Sequence, residues 1–195
     1  WLSVHLERHL RGNHLFTNAK ALVFAGLFFE GPEADKWRRK GFALLSHEVP
    51  EQVLPDGGHF ELSPMYHSIT LVDLLDLVNL LNAFTDQISA IEARFRSEWR
   101  DRLPSMLHWL EAMAHPDGEI AFFNDTAFEI APPVVEVTSY AERLNIRNTA
   151  PLQQIEWLRH SGYIRLSNDQ STLLADVAPV GPDYLPGHAH ADTLS

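Results

Sequence analysis

The spacing of apolar residues changes along this chain, and that change constrains the fold most. Over the first two thirds of the sequence, apolar residues recur with a helical period. The segment 15–29 is apolar on nearly every side, which is typical of a helix buried inside a larger helical array. From Gly162 onward the pattern favours two short strands, 163–166 and 172–177. The sequence therefore predicts a mainly α fold followed by the first strands of a sheet.

Proline residues set several of the expected helix ends. Pro50 is expected to limit a helix over 34–49, and Pro104 to interrupt the helical pattern between residues 88 and 114. The clearest helix start is at Ser63 and Pro64, because a serine caps free amides and a proline suits the first helical position. The remaining helices are predicted from apolar spacing alone and cover 1–10, 15–29 and 134–144.

Composition excludes several classes of protein. The chain has 195 residues, no cysteine and a formal net charge of -11. Disulfides and thiolate metal sites are therefore excluded, and a nucleic-acid partner is discarded because binding to phosphate draws on a surplus of Lys and Arg. The most apolar run, 21–29, is too short to span a bilayer. Because the chain starts at Trp1 and stops just after a strand begins to form, we expect a fragment of a longer protein.

Two histidines near the end of the chain stand one residue apart. His188 and His190 would share one face of an extended strand, since alternate residues of a strand point to the same side. Two imidazoles on one face suit a metal ion, a proton transfer, or one of each. Two solvated histidines in a polar loop are an equally good interpretation of the spacing alone.

Four short motifs follow one another in an order that resembles a known family. Each motif alone is weak, but four in sequence are fairly specific. The motifs are Gly12-Asn13-His14, Asp56-Gly57-Gly58 leading to Glu61 and Ser63-Pro64-Met65-Tyr66-His67, Gly118-Glu119-Ile120 with Phe123-Asn124-Asp125, and Pro186-Gly187-His188-Ala189-His190-Ala191-Asp192. Together they resemble the heparinase II/III-like polysaccharide lyases, which include oligoalginate lyases.

The resemblance implies an architecture and an activity. Residues 1–160 would form part of an (α/α) toroid of helical hairpins, which is the catalytic domain. Residues 161–195 would begin a C-terminal antiparallel β-sandwich domain. The implied activity is cleavage of uronic-acid-containing glycans by β-elimination, with an acidic polysaccharide or oligosaccharide as the substrate and a periplasmic or secreted location.

The resemblance also implies catalytic roles. Asn13, with His14 beside it, would neutralise the uronate carboxylate, and one preorganised donor of this kind is worth roughly 3 kcal/mol in the transition state. Tyr66 would move protons, and His188 would be either the partner base or a contact to the carboxylate, depending on the stereochemistry of the substrate. Tyr66 is expected in the first turn of its helix, where the positive end of the helix dipole favours phenolate and lowers a pKa that is ordinarily near ~10.

Further residues have looser implied roles. Glu61, Asn124 and Asp125 lie in loops beside the motifs and are expected to contact sugar hydroxyls, although exposed polar loop residues are often only solvated. His190 matches a ligand of a structural zinc, whose other ligands would lie beyond Ser195, so that the site would be incomplete here.

Two alternative functions stay open from the residues. One is a carbohydrate-binding toroid that has lost its activity. The other is a metal-dependent hydrolase, suggested by His188 and His190 taken alone.

Overall fold

The computed structural model describes residues 1–10, 12–148 and 150–179. Over these residues the chain is mainly helical and ends in strands, as the apolar spacing predicts, but there are three antiparallel strands where the sequence predicts two. No helix among them has the length and apolar character needed to cross a membrane. The elements are α1 (Gly12–Phe28), α2 (Pro32–Gln52), α3 (Pro64–Ala83), α4 (Ala90–Ala112), α5 (Val134–Arg143), β1 (Ile155–Leu158), β2 (Tyr163–Ser167) and β3 (Thr172–Asp176).

The predicted helix over 1–10 is wrong. The segment forms turns, with short-range bonds such as Val4 N to Trp1 O at 3.1 Å. Trp1 is 86% and Val4 74% exposed. A helix this short needs an apolar face that packs against a neighbour, and this segment buries too little to supply one.

The two prolines do not end their helices as predicted. Helix α2 continues through Pro50 to Gln52, and α4 runs unbroken through Pro104. A proline inside a helix costs about 3 kcal/mol. Leu103, Met106 and Leu107 beside Pro104 are almost fully buried. Burial of each such side chain contributes about 1.5–3 kcal/mol, so their packing outweighs the cost of Pro104.

The chain divides into two compact units. The first comprises Trp1–Gln52 and Asp73–Asp101, and the second comprises Val53–Val72 and the chain from Arg102 onward. The division falls within α3 and within α4.

Helices α1 and α2 of the first unit form an antiparallel hairpin. A Cβ added to Gly26 would lie 2.7 Å from the Cα of Arg38, and one added to Gly41 would lie 2.8 Å from the carbonyl oxygen of Ala19. Residues late in α1 thus meet residues early in α2, and residues early in α1 meet residues late in α2. The two glycines let the helix backbones approach closely.

The second unit carries the sheet, in the order β1-β2-β3 with antiparallel pairing. Strands β2 and β3 lie where the sequence predicts two strands, at 163–166 and 172–177. Strand β1 was not predicted, because Ile155 and Trp157 are 66% and 54% exposed and its apolar side chains do not mark a buried face. The domain boundary after residue 160 stays a prediction. The sheet packs on a core formed by Leu62, Trp109, Ala112, Met113, Ala121, Leu158 and Tyr163.

Candidate active site

The first turn of α3 is capped from two sides. The Oγ atom of Ser63 accepts a hydrogen bond from the backbone N–H of Tyr66 at 3.5 Å, and Thr126 Oγ1 accepts one from the N–H of Met65 at 3.4 Å. The two hydroxyl oxygens lie 3.0 Å apart. The helix start predicted from Ser63 and Pro64 is confirmed, and Tyr66 lies in the first turn.

Two sets of contacts with other residues of the second unit hold the loop before α3. Gly57 has φ +91° and packs so closely that an added Cβ would lie 2.3 Å from the backbone of Ser105. The Oδ2 atom of Asp56 accepts hydrogen bonds from the backbone N–H groups of His160 and Ser161 at 2.8 and 2.7 Å. The loop therefore enters α3 in one fixed direction.

Leu62 lies at a strained point of this loop, with φ +58°. Left-handed backbone is rare for a bulky residue and persists only where the surroundings fix it. Its carbonyl oxygen accepts a hydrogen bond from the Tyr163 hydroxyl at 2.6 Å and another from Asn124 Nδ2 at 2.9 Å. These bonds fix the backbone that leads into the cap of α3.

Tyr66 and Asp125 are brought together by this arrangement. The hydroxyl of Tyr66 donates a hydrogen bond to Asp125 Oδ2 at 3.2 Å. Burial raises the pKa of Tyr66 to about 12, and the negative charges of Asp125 and Glu61 add to the effect. Tyr66 is therefore a neutral phenol at neutral pH.

The expectation that the helix dipole would lower the pKa of Tyr66 is wrong. A helix N-terminus stabilises a negative charge by about 1 kcal/mol at the surface and by up to about 2 kcal/mol where the charge is partly buried. Burial and two carboxylates act in the opposite direction and outweigh it. Tyr66 is thus suited to donating a proton, and not to resting as phenolate.

Three further residues with predicted roles lie in or beside this cluster. Glu61 is only 4% exposed, and its charge acts on Tyr66. Asn124 donates to Leu62 and, at 3.1 Å, to the Tyr163 hydroxyl. Their contact with sugar hydroxyls, and that of Asp125, stays a prediction; in the structure Asn124 and Asp125 bond to the segment that carries Tyr66.

Asn13 and His14 lie in the first turn of α1, in the first unit. The His14 side chain is 48% exposed, and its Nδ1 lies 3.6 Å from Glu7 Oε2. Asn13 is partly buried. Their roles toward a uronate carboxylate stay predictions.

His67, which follows Tyr66 in the motif, is fully buried. Its Nε2 lies 3.0 Å from the carbonyl oxygen of Met106, and its ring centroid lies 4.3 Å from that of Trp109. Burial lowers the pKa of His67 to about 3. This imidazole is neutral and supports the packing of α3.

His188 and His190 lie outside the described residues, so the metal and proton-transfer roles predicted for them stay predictions. Within residues 1–10, 12–148 and 150–179, no three side chains of histidine, aspartate or glutamate group closely enough to hold a metal ion.

Sequence reasoning missed two residues that build the site. Tyr163 lies on β2 and reaches Leu62, and Thr126 caps α3. Neither residue stands in a pattern that marks it, because each acts through a contact with a segment distant in sequence. The only signal for Thr126 is that it directly follows Asn124 and Asp125.

Comparison with family models decides the family. The model for the heparinase II/III N-terminus matches residues 3–146, and the heparinase II/III-like C-terminal model matches residues 150–195. The chain belongs to the heparinase II/III family. The family resemblance read from the four motifs is thereby confirmed.

Proteins that are similar to this chain include heparin-sulfate lyases. The protein of that name from Bacteroides stercoris is 31% identical over 116 residues, which are 59% of this chain and 17% of that protein. The one from Pedobacter heparinus is 30% identical over 127 residues, which are 65% of this chain and 18% of that protein. The matched region thus spans less than a fifth of these curated relatives.

Solved structures of the family share the fold. Heparinase III superposes with a TM-score of 0.69 at 20% identity, covering 89% of this chain and 30% of that one. The heparan sulfate lyase HepC from Pedobacter heparinus superposes with a TM-score of 0.68 at 24% identity, covering 96% of this chain and 31% of that one.

Proposed function

We propose that this heparinase II/III family chain is part of a polysaccharide lyase that cleaves uronic-acid-containing glycans by β-elimination. Tyr66 carries the proposal. It stands at the motif position of the family's catalytic tyrosine, in the first turn of a doubly capped helix, with a protonated hydroxyl bonded to a carboxylate. The names of the relatives, heparin-sulfate lyases, support the same class of activity.

The reaction breaks one carbon–hydrogen bond and one carbon–oxygen bond, and it needs two proton transfers. A base removes the proton alpha to the uronate carboxylate, and a carbon–carbon double bond forms as the bond to the glycosidic oxygen breaks. The leaving oxygen takes a proton from an acid. The alpha proton is hardly acidic, because its removal adds negative charge beside the carboxylate, so that carboxylate must be neutralised.

Tyr66 fits the role of the acid. A phenol with a raised pKa keeps its proton until a strongly basic oxygen approaches, and a departing alkoxide is such an oxygen. Delivery of this proton leaves a phenolate beside Asp125 and Glu61, whose negative charges favour its reprotonation from solvent. Tyr66 therefore returns to its starting form after each turnover.

The remaining roles rest on the family resemblance. Asn13 and His14 would neutralise the uronate carboxylate, and His188 would be the partner base. The structural zinc, with His190 as a ligand, and the periplasmic or secreted location stay predictions, and no step above passes through the metal.

The proposed substrate is a heparan-type glycosaminoglycan, with alginate as the second polymer to test. The formal net charge of -11 places a condition on this substrate. A heavily sulfated chain needs compensating cations along its cleft. We therefore expect sparsely sulfated stretches to be cleaved faster than densely sulfated ones.

The test is incubation of the whole protein with heparan sulfate and with alginate oligomers, followed by ultraviolet absorbance of the unsaturated uronyl product. We expect product from the wild type and a loss of about 100- to 10,000-fold in kcat for Tyr66→Phe, the range that removal of a general acid produces. Tyr140→Phe is the matched control, because Tyr140 lies on α5 and has no proposed role.

The alternative functions give different results. An inactive carbohydrate-binding protein retains the polymer without releasing unsaturated product. A metal-dependent hydrolase releases saturated ends, and a chelator abolishes its turnover. Either result contradicts the proposal.

A further inference from the structure

We propose that residues 124–126 form a clamp on the start of α3, and that Asp125 is the positioning residue that orients the hydroxyl hydrogen of Tyr66. This inference rests on the proposed function and deepens it. It gives Asp125 a role toward Tyr66 instead of a direct contact with sugar.

The clamp consists of three consecutive residues that each bond to a different part of one segment. Asn124 donates to the carbonyl oxygen of Leu62 at 2.9 Å, and Asp125 accepts from the Tyr66 hydroxyl at 3.2 Å. Thr126 lies 3.0 Å from the Ser63 hydroxyl and also accepts from the N–H of Met65. One loop thus fixes the strained turn, the helix cap and the phenol together.

The backbone of the clamp is itself set for this contact. Asn124 has φ +52°, a left-handed conformation that asparagine tolerates better than most residues. The neighbouring Phe123 packs on Tyr163, with ring centroids 5.2 Å apart. Tyr163 also donates to Leu62 and accepts from Asn124, so the start of the clamp and the turn that it holds are tied to the same buried residue.

The charge of Asp125 argues against a direct role in holding the substrate. The proposed substrate carries a carboxylate, and like charges placed side by side at an interface are unfavourable. Asp125 and Glu61 together make the surroundings of the Tyr66 hydroxyl negative. The uronate carboxylate must therefore lie away from this hydroxyl, while the uncharged glycosidic oxygen approaches it.

The clamp holds the group whose proton passes to the leaving oxygen. At rest, the Tyr66 hydrogen points to Asp125 Oδ2. During elimination the O–H bond of Tyr66 breaks as a new O–H bond forms on the leaving oxygen. Asp125 stays a carboxylate throughout and receives no proton. Its two contributions are to hold the phenolic oxygen in place and to disfavour loss of the proton before substrate arrives.

The kinetic test compares Asp125→Ala with Asp125→Asn in the whole protein. We expect Asp125→Ala to lower kcat about 100-fold with little change in KM, as misplacement of a reacting group by about 1 Å does. Asp125→Asn keeps a hydrogen-bond acceptor and should recover part of that loss at neutral pH. Glu129→Gln is the matched control, since it removes the same charge from an exposed position of the same loop. A rise in KM with kcat unchanged would mean that Asp125 contacts substrate, and would overturn the proposal.

A second measurement does not depend on activity. Carbon-13 labelling of the tyrosine ring follows ionisation by NMR, and Tyr66→Phe assigns the Tyr66 signal. We expect Asp125→Asn to move the pKa of Tyr66 from about 12 toward the ordinary value near ~10, and Glu61→Gln to move it less. An unchanged pKa in Asp125→Asn overturns the clamp. Absence of unsaturated product from the wild type, with the NMR shift present, overturns the lyase proposal instead.

Discussion

Acidification should destabilise this protein through His67. The imidazole is fully buried, with its Nε2 3.0 Å from the Met106 carbonyl oxygen, and burial lowers its pKa from 6.5 to about 3. In the unfolded chain the same group takes up a proton at its ordinary pKa. Stability from the neutral His67 is therefore fully present above pH 6.5 and is lost as the pH falls toward 3.

The size of the effect follows from these two pKa values. Between about pH 7 and about pH 5, one such histidine removes about 2 kcal/mol from the free energy of unfolding. Urea denaturation at the two pH values measures it in the wild type and in His67→Gln, whose amide can still donate to Met106. We expect the wild type to lose about 2 kcal/mol more than the variant on acidification. His160→Gln, at an exposed position, serves as the control.

If the wild type and His67→Gln lose the same stability between the two pH values, His67 is not the buried neutral group described above.

Two further predictions concern the loop that leads into α3. Gly57→Ala should lower the free energy of unfolding by more than about 2 kcal/mol, because left-handed backbone costs about 1–2 kcal/mol and the added Cβ would meet backbone at 2.3 Å. Gly118→Ala, where φ is +92° and no atom of the described residues lies within 4 Å of the added Cβ, should lose only the part that comes from the left-handed backbone. Equal losses in the free energy of unfolding of the two variants, measured by urea denaturation, would contradict the close contact at Gly57. Asp56→Ala should lower the free energy of unfolding by about 1–3 kcal/mol, because it leaves the buried N–H of Ser161 without its acceptor. A melting temperature equal to that of the wild type would contradict this.

The sequence predicted correctly those elements that depend on residues close together in the chain. The cap at Ser63 and the proline after it predicted the start of α3 correctly, because both act within one turn. Strands β2 and β3 were predicted from the change in apolar spacing after Gly162.

Features that depend on distant packing were not predictable in the same way. Pro104 was expected to break a helix, but the burial of its neighbours outweighs its cost. Strand β1 exposes Ile155 and Trp157 and buries only Leu158 among its apolar residues, so it lacks the pattern of a buried strand.

In the candidate site, too, the sequence predicted the local features and not those that depend on distant residues. The motif predicted Tyr66 and its place in the first turn of a helix. The direction of its pKa shift depends first on the burial that the fold imposes and then on Asp125, which is 59 residues away in sequence. The helix dipole can be inferred from sequence, whereas the stronger effects appear only once the loop 124–126 has been placed.

The most direct test of the central claim is the mass balance of the cleavage products. Wild-type protein acting on heparan sulfate oligomers in heavy-oxygen water should give fragments whose masses sum to that of the substrate, with no oxygen taken from solvent, and Tyr66→Phe should give almost none. Fragments that carry heavy oxygen, or unchanged yields from Tyr66→Phe, would contradict elimination with Tyr66 as the proton donor.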